Sequence, residues 1–476
     1  MLETAIKYHQ NNELDKAVEY YLKALRSEAN QVEIYNRLLQ IYTHNNDVDK
    51  IIYCYLRLIE LEPQNPYHYF NAGINYYKKG DGENTFKAYL NAVYLKPDFT
   101  EAHINLGGLY QRVYDFKKAE KHLLKGLELN DNFFELYLNL GNLYVDTAET
   151  SKVIEISQRG LKKFPNNQSL LFNIARAEFL EGKLDKAWDY FKLRRLINEK
   201  QGLKTYLLDY RGSLKDKKVL VYSDSGYGDS LQFMRYLHFL DQQGAKVLLK
   251  IQPPLVSLVR SSNFNVEIVP ADQKHQQVGH DLQINLTSLA YPYKITDYSN
   301  KYITVNPKKA QEYKDKYFNN NDFKIGIVWY SHANLYKKNI SDVRAFYDIA
   351  KMPGVKLYSL QQTKGTPMLD NLPEDFHLIH LGDEFKDFSD TAAAVENLDL
   401  VLAIDTAVVH LAGAMGKPVW CMLPDVPNWR WFMEGDTTPW YNTMRLFRQT
   451  RPDDWTEVLQ RVKIELEKTI LQHEKV

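Results

Sequence analysis

Cysteine is nearly missing from this chain: Cys54 and Cys421 are the two among 476 residues, and they lie far apart. That count argues against a disulfide framework. Long apolar runs are missing as well, since no window approaches the roughly 18 apolar residues a membrane-spanning helix needs. The N-terminal stretch MLETAIKYHQNNELDKA has no basic segment followed by an apolar one, so no leader is expected and a cytoplasmic protein is. Peripheral membrane contact would leave no such mark. Neither sign of charge is in excess, because Lys plus Arg and Asp plus Glu each count 60. No global field draws the chain to a polyanion, and no zinc-finger spacing or RNA-binding aromatic pattern supplies a local reason, so nucleic acid is not an expected partner.

The chain has the composition of one that packs. Apolar residues make up 44% and charged residues 25%, against the polar, aromatic-poor balance of disordered chains. At 476 residues it exceeds what one hydrophobic core supports, which predicts two or three domains.

The first two hundred residues repeat with a period of 34. Gly73, Gly107 and Gly141 define it, with Ala175 after them and Leu39 and Ala5 before. Tyr42, Tyr76, Tyr110 and Tyr144 follow three residues later, Pro63, Pro97 and Pro165 form a second thread with Asp131 in the gap, and Ala17, Ala119 and Ala187 a third. A small residue lets a partner helix approach, tyrosine fills the space beside it, and proline ends a helix. Each unit is then a helix pair whose apolar face is buried only by stacking on its neighbours.

The segments HINLGGLY, LYLNLGNLY and LLFNIARAEFLEGKLDKAWDYF resemble the tetratricopeptide repeat family. The resemblance implies a superhelix of about six units with a groove that binds peptides or protein surfaces. Asn71, Asn105, Asn139 and Asn173 recur at 34 on the first helices. Two readings of them stand, clamps for a peptide backbone or plain helix-surface polars, just as the repeats themselves read either as a recognition groove or as an architectural brace.

After QGLKTYLLDYRGSLK the helical period stops. KKVLVYS, AKVLLKIQ and FNVEIVP read as strands, separated by the glycine turn and helix SGYGDSLQFMRYLHFLDQQG and the helix PPLVSLVRSS. A second series runs from FKIGIVWYS through VKLYSLQ, HLIHLG, DLVLAIDT and KPVWCML to a C-terminal helix, DWTEVLQRVKIELEKTI. Strands alternating with helices predict parallel sheets, with a ligand cleft at the carboxyl ends of the strands.

Three segments carry chemistry. In SGYGDS, Gly226 and Gly228 permit a tight turn and Asp229 opens a helix; the spacing is neither a dinucleotide fingerprint nor a Walker A loop. Asp229 reads as a helix cap or as a general base facing the cleft. In IDTAVVHLAGAMGKP, Asp405 and Thr406 lie where a helix begins, an anion site suited to a diphosphate. His410, one turn on, reads as a ligand-facing group or as a core histidine. WYSHANLYKK carries His332, Lys337 and Lys338 on a loop, where a lysine would neutralise phosphate or simply be solvated.

The stretch LGDEFKDFSDTAAAVENLDLVLAIDTAVVHLAGAMGKPVWCMLPDVPNWRWF, with DTTPWYNTMRLFRQ after it, is similar to the carboxyl half of glycosyltransferase family 9, the heptosyltransferase group. It looks more closely like bacterial tetratricopeptide proteins that carry such a domain. The likeness spans about residues 217 to 470. It implies a GT-B fold and metal-independent, inverting transfer from a nucleotide sugar that is substrate rather than cofactor. It also implies roles: Asp229 as base, with Gly228 beside it; Asp405, Thr406, Ala407 and His410 at the donor pyrophosphate; Gln361 near the ribose; Lys337 or Lys338 at phosphate.

The expected fold is thus α plus α/β multidomain. A tetratricopeptide α-solenoid occupies residues 1–202 and a linker 203–216. A Rossmann-like acceptor-side domain follows at 217–310, and a Rossmann-like nucleotide-sugar domain at 322–476. The first α/β domain is short, and the loop after Trp329 reads KNIS where the family has an arginine-serine pair. Two functions follow. One is a glycosyltransferase acting on a protein, peptide or glycan acceptor that the repeats help to recognise. The other is a non-catalytic scaffold that binds a partner protein in the repeat groove.

Overall fold

A computed structural model describes residues 1–26, 30–191, 207, 210–293, 301–331, 339–362, 369 and 372–473. It divides into two compact units, Met1–Asn173 and Ile174–Val476.

The first unit is a helical repeat. Leu2–Gln10 pairs with Leu14–Ala24, Gln31–His44 with Val48–Leu61, Pro66–Lys79 with Gly82–Leu95, Thr100–Arg112 with Phe116–Leu129, and Phe134–Asp146 with Thr150–Lys163. A sixth pair, Gln168–Leu180 and Leu184–Phe191, crosses into the second unit. The period of 34 is also a backbone period. The turn of each pair contains one left-handed residue, at Asn12, Asn46, Gly80, Tyr114, Ala148 and Gly182. Asp47, Asp81 and Asp115 come next, and each side chain accepts the amide hydrogen three residues on, capping the second helix.

The small-residue thread does what its size requires. A Cβ on Gly73 would lie 2.6 Å from the Tyr89 ring, and one on Gly107 2.5 Å from Leu123, so the two helices of each pair touch there. On Gly141 it would lie 2.6 Å from the Asn173 amide. Asn173 is accordingly buried, whereas Asn71, Asn105 and Asn139 are half-buried. A second small thread, Ala24, Ala92, Gly126 and Gly160, lets each second helix reach the following pair: a Cβ on Gly160 would meet Leu170 at 2.7 Å.

One pair of side chains makes this unit acid-sensitive. His103 Nδ1 and His122 Nδ1 are 3.0 Å apart, and Tyr110 stacks on the His122 ring. Burial, followed by the charges of His103 and Lys121, pulls the His122 imidazole down to about 4. Its unfolded value is about 6.5, so below that pH the unfolded chain binds the extra proton. Stability is full above about pH 6.5 and falls until pH passes about 4, by on the order of 1–3 kcal/mol. Urea denaturation at neutral pH and near pH 4.5 should show this loss, and His122→Gln should shrink it. An unchanged pH dependence in the variant would refute the assignment.

The second unit holds two parallel sheets. The first has the order β3-β2-β1-β4, with β1 Lys218–Tyr222, β2 Lys246–Lys250, β3 Val266–Ile268 and β4 Leu282–Asn285. The second runs β10-β9-β8-β5-β6-β7, with β5 Phe323–Val328, β6 Val355–Ser359, β7 Leu378–His380, β8 Leu400–Ile404, β9 Val419–Leu423 and β10 Met444–Arg448. Three strands were expected in the first sheet; β4 is the fourth, a run whose Gln283 and Asn285 interrupt the apolar signal although both are buried. The helix expected after the glycine turn is broken into Tyr227–Phe233, a 3-10 turn at Met234–Tyr236, and Leu237–Gln242.

Both sheets close their amino ends in the same way. Asp281, just before β4, accepts the Lys218 amide of β1 at 2.8 Å, and Asp399, just before β8, accepts the Lys324 amide of β5 at 2.8 Å. Chain order reverses between β1 and β4 and again between β5 and β8. Such reversals splay the connections apart at the carboxyl ends and open a crevice there.

Candidate functional site

A cavity of about 470 Å³ opens at that crevice in the second sheet. Val328 and Tyr330 line it after β5, Gln361 after β6, Phe388 after β7, and Thr406 and Ala407 after β8. Tyr227 and Pro254, which follow β1 and β2, close it from the first sheet. Tyr227 and Phe388 meet across it with ring centroids 5.2 Å apart. The helix Ala407–Ala414 begins here with Thr406 as its N-cap, whose own side chain makes no capping hydrogen bond. Thr406 and Ala407 at this helix start line the cavity, and a helix N-terminus suits an anion.

The helix after β1 comes close to the helix after β8 at a glycine. A Cβ on Gly228 would lie 2.9 Å from His410 Cδ2 and 3.7 Å from Ala407 Cα. The glycine turn of the first sheet is thereby set against the first turn of Ala407–Ala414, and only the missing side chain permits it. Gly226, not Asp229, is the N-cap of Tyr227–Phe233. Asp229 sits in the first turn, and its carboxylate accepts from the Arg430 guanidinium.

His410 lies beneath this contact. It is 1% exposed, bonded through Nδ1 to the Tyr441 hydroxyl at 3.0 Å, and stacked on Trp431 at 5.3 Å. Its Nε2 is 3.8 Å from Asp405 Oδ1. Burial, with the cations Arg430 and Arg235, holds the imidazole well below its usual range, so it is neutral. The ring supports the floor of the site rather than lining the cavity. Gly413, one turn on, has no room for a side chain because the Tyr441 ring would be 2.6 Å from its Cβ.

Gln361 lines the cavity, with Oε1 accepting the Tyr330 amide at 3.1 Å. Lys337 and Lys338 lie outside the described residues. The structure thus brings Gly228, Asp229, Asp405, Thr406, Ala407 and His410 together around one helix start, with Gln361 across the same cavity.

Arg430 is a site residue that the sequence analysis did not single out. It sits in a short 3-10 turn, Trp429–Trp431, and its carbonyl accepts from Trp440 Nε1 at 2.7 Å. Phe432 follows with φ 57° and ψ 176°, a region bulky residues avoid. Arg448 holds that loop, donating to the carbonyls of Trp431 at 2.6 Å, Phe432 at 3.0 Å, Glu434 at 3.1 Å and Gly435 at 2.8 Å. The sixth helix pair packs on the same loop: Phe179 lies 4.4 Å from Trp429, and the Met433 amide donates to the Leu180 carbonyl. A lone arginine between two tryptophans was the available signal.

Among the described residues no helix is long and apolar enough to cross a membrane. The tetratricopeptide repeat profile matches residues 8–31 and 32–65. No curated protein matches the chain. A tetratricopeptide repeat protein from Parabacteroides merdae ATCC 43184 is 20% identical over 42% of this chain and 85% of its own, with a TM-score of 0.34. MamA from Desulfovibrio magneticus RS-1 is 16% identical over 36% and 97%, with a TM-score of 0.34. A glycosyltransferase family 9 structure from Veillonella parvula DSM 2008 is 14% identical over 53% and 90%, with a TM-score of 0.39.

Proposed function

We propose that this chain is an inverting glycosyltransferase that moves a sugar from a nucleotide-sugar donor to an acceptor, without a metal, and that its repeats help to recognise a protein, peptide or glycan acceptor. The observation that carries the reading is the seat of Gly228 on His410 and Ala407. It sets the turn that carries Asp229 against the helix start at Thr406 and Ala407, and those two residues line a cavity of about 470 Å³, within the size range of small-ligand sites. Sugar transfer needs a base and an anion site on opposite sides of the anomeric carbon. A base removes the acceptor proton as the acceptor oxygen bonds to that carbon, and amide dipoles take up the negative charge as the bond to the diphosphate breaks. Asp229 is the base in this reading. Thr406 and Ala407 hold the diphosphate, Gln361 faces the nucleoside, and Lys337 or Lys338 adds a positive charge.

The contact between Asp229 and Arg430 favours a second reading. A carboxylate held by a guanidinium is a structural tie, and a scaffold that keeps the fold without catalysis would show the same pair. Calorimetric titration in EDTA with ADP, UDP, GDP and their sugar nucleotides separates the two. Selective binding of one nucleotide, weakened at least about tenfold by Asp405→Ala and retained in Asp229→Ala, is the expected result. No binding across the panel would sink the transferase reading in favour of the scaffold.

A further inference from the structure

Four leucines in the repeat unit recur where a soluble surface would carry polar groups. Leu22, Leu56, Leu90 and Leu124 are spaced by 34, sit on the second helices of the first four pairs, and are each 41 to 45% exposed. Tyr53, three residues before Leu56, and Tyr94, four after Leu90, share those helix faces and are also exposed. In the fifth pair Gln158 takes the position, and the apolar row ends. Single exposed apolar residues are ordinary, but a row repeated across four units marks an interaction face.

The flanking residues indicate what covers it. Positions three before and four after each leucine lie on its face. In chain order these positions hold Glu19 and Arg26, Tyr53 and Glu60, Lys87 and Tyr94, Lys121 and Glu128, all of them exposed and all but Arg26, which lies in the turn just past Ala24, within their helices. The next residue on is turned by about 100°; there Lys23, Arg57 and Lys125 are engaged with Glu19, Glu60 and Glu128 of their own helices.

A two-fold axis parallel to these helices reverses the row against itself. Leu22 then faces Leu124 and Leu56 faces Leu90. Glu19 faces Lys121, Arg26 faces Glu128, Tyr53 faces Lys87, and Glu60 faces Tyr94. No like charges confront each other at these positions, and the Tyr53 ring receives a cation. Self-complementarity of this kind is what an isologous interface requires. We propose that the leucine row is the two-fold interface of a homodimer, with a second copy of this chain as its occupant.

Sedimentation velocity of the full chain at increasing concentration tests this. A dimer is expected, and the double variant Leu56→Glu with Leu90→Glu should be monomeric while keeping the wild-type circular dichroism and melting curve. Glu19→Lys should raise the dissociation constant at least about tenfold, and adding Lys121→Glu to it should restore the dimer. The restoring pair separates this axis from one running along the row, which would set Glu19 against Arg26 instead. A wild type that stays monomeric overturns the proposal. So does a dimer that survives the double leucine variant, or a Glu19→Lys chain that Lys121→Glu fails to rescue.

Discussion

Gly382→Ala is expected to cost on the order of 4 kcal/mol or more, enough to remove most of the second unit's stability. A Cβ at that position would lie 1.7 Å from the Gln361 carbonyl oxygen, 2.5 Å from its carbonyl carbon and 2.8 Å from the His380 ring. Two of these atoms are backbone, so no rotamer change relieves the overlap. Either the end of β6 or the turn after β7 must move. Gln361 is the residue displaced, and its side chain holds Tyr330 at the cavity wall. Stability and nucleotide binding should therefore fail together. Gly279→Ala is the control, because a Cβ there meets nothing within 4 Å, and it should stay within about 0.5 kcal/mol of wild type. Denaturant midpoints for the two variants make the comparison; a Gly382→Ala protein as stable as Gly279→Ala would show that the turn relaxes.

Periodic features were legible in the sequence and pairwise ones were not. The spacing of Gly73, Gly107 and Gly141 announced close helix contacts, because one steric requirement recurs and leaves a repeated mark. The left-handed turns and aspartate caps, at the same spacing, could have been read in the same way. The helix start at Thr406 was legible because a buried strand, a small residue and a turn of helix occur in order along the chain. β4 was not, since Gln283 and Asn285 carry the polarity of a loop while the fold buries them. Burial there comes from the sheet, which no local pattern encodes. The sequence left His410 open between a ligand-facing and a core position. Its distance from solvent depends on Trp431 and Tyr441, which follow at 21 and 31 residues' remove and come over it only when the 3-10 turn folds back. Arg430 stands 201 residues from Asp229, so their contact exists only in three dimensions.

Asp229→Asn should lower turnover by about 10²–10⁴-fold, the contribution of a positioned base, while leaving nucleotide affinity within a few-fold of wild type. The assay is release of nucleoside diphosphate from the sugar nucleotide that binds in the titration. Asparagine keeps the shape of the side chain and its reach toward Arg430 but cannot take a proton. Loss of turnover with binding intact would then belong to the transition state rather than to the ground state. Arg430 sharpens the test. Its guanidinium touches the carboxylate and its side chain is largely buried, so effects of the two residues on rate should not add. If Arg430 acts only by aiming Asp229, Arg430→Gln slows the wild type and does nothing further to Asp229→Asn. If it also leaves the carboxylate to meet the departing diphosphate, the double variant loses another factor of about ten or more, and the loss extends to nucleotide affinity. Equal turnover in wild type and Asp229→Asn would remove Asp229 from the chemistry and leave its contact with Arg430 as a tie between the two sheets.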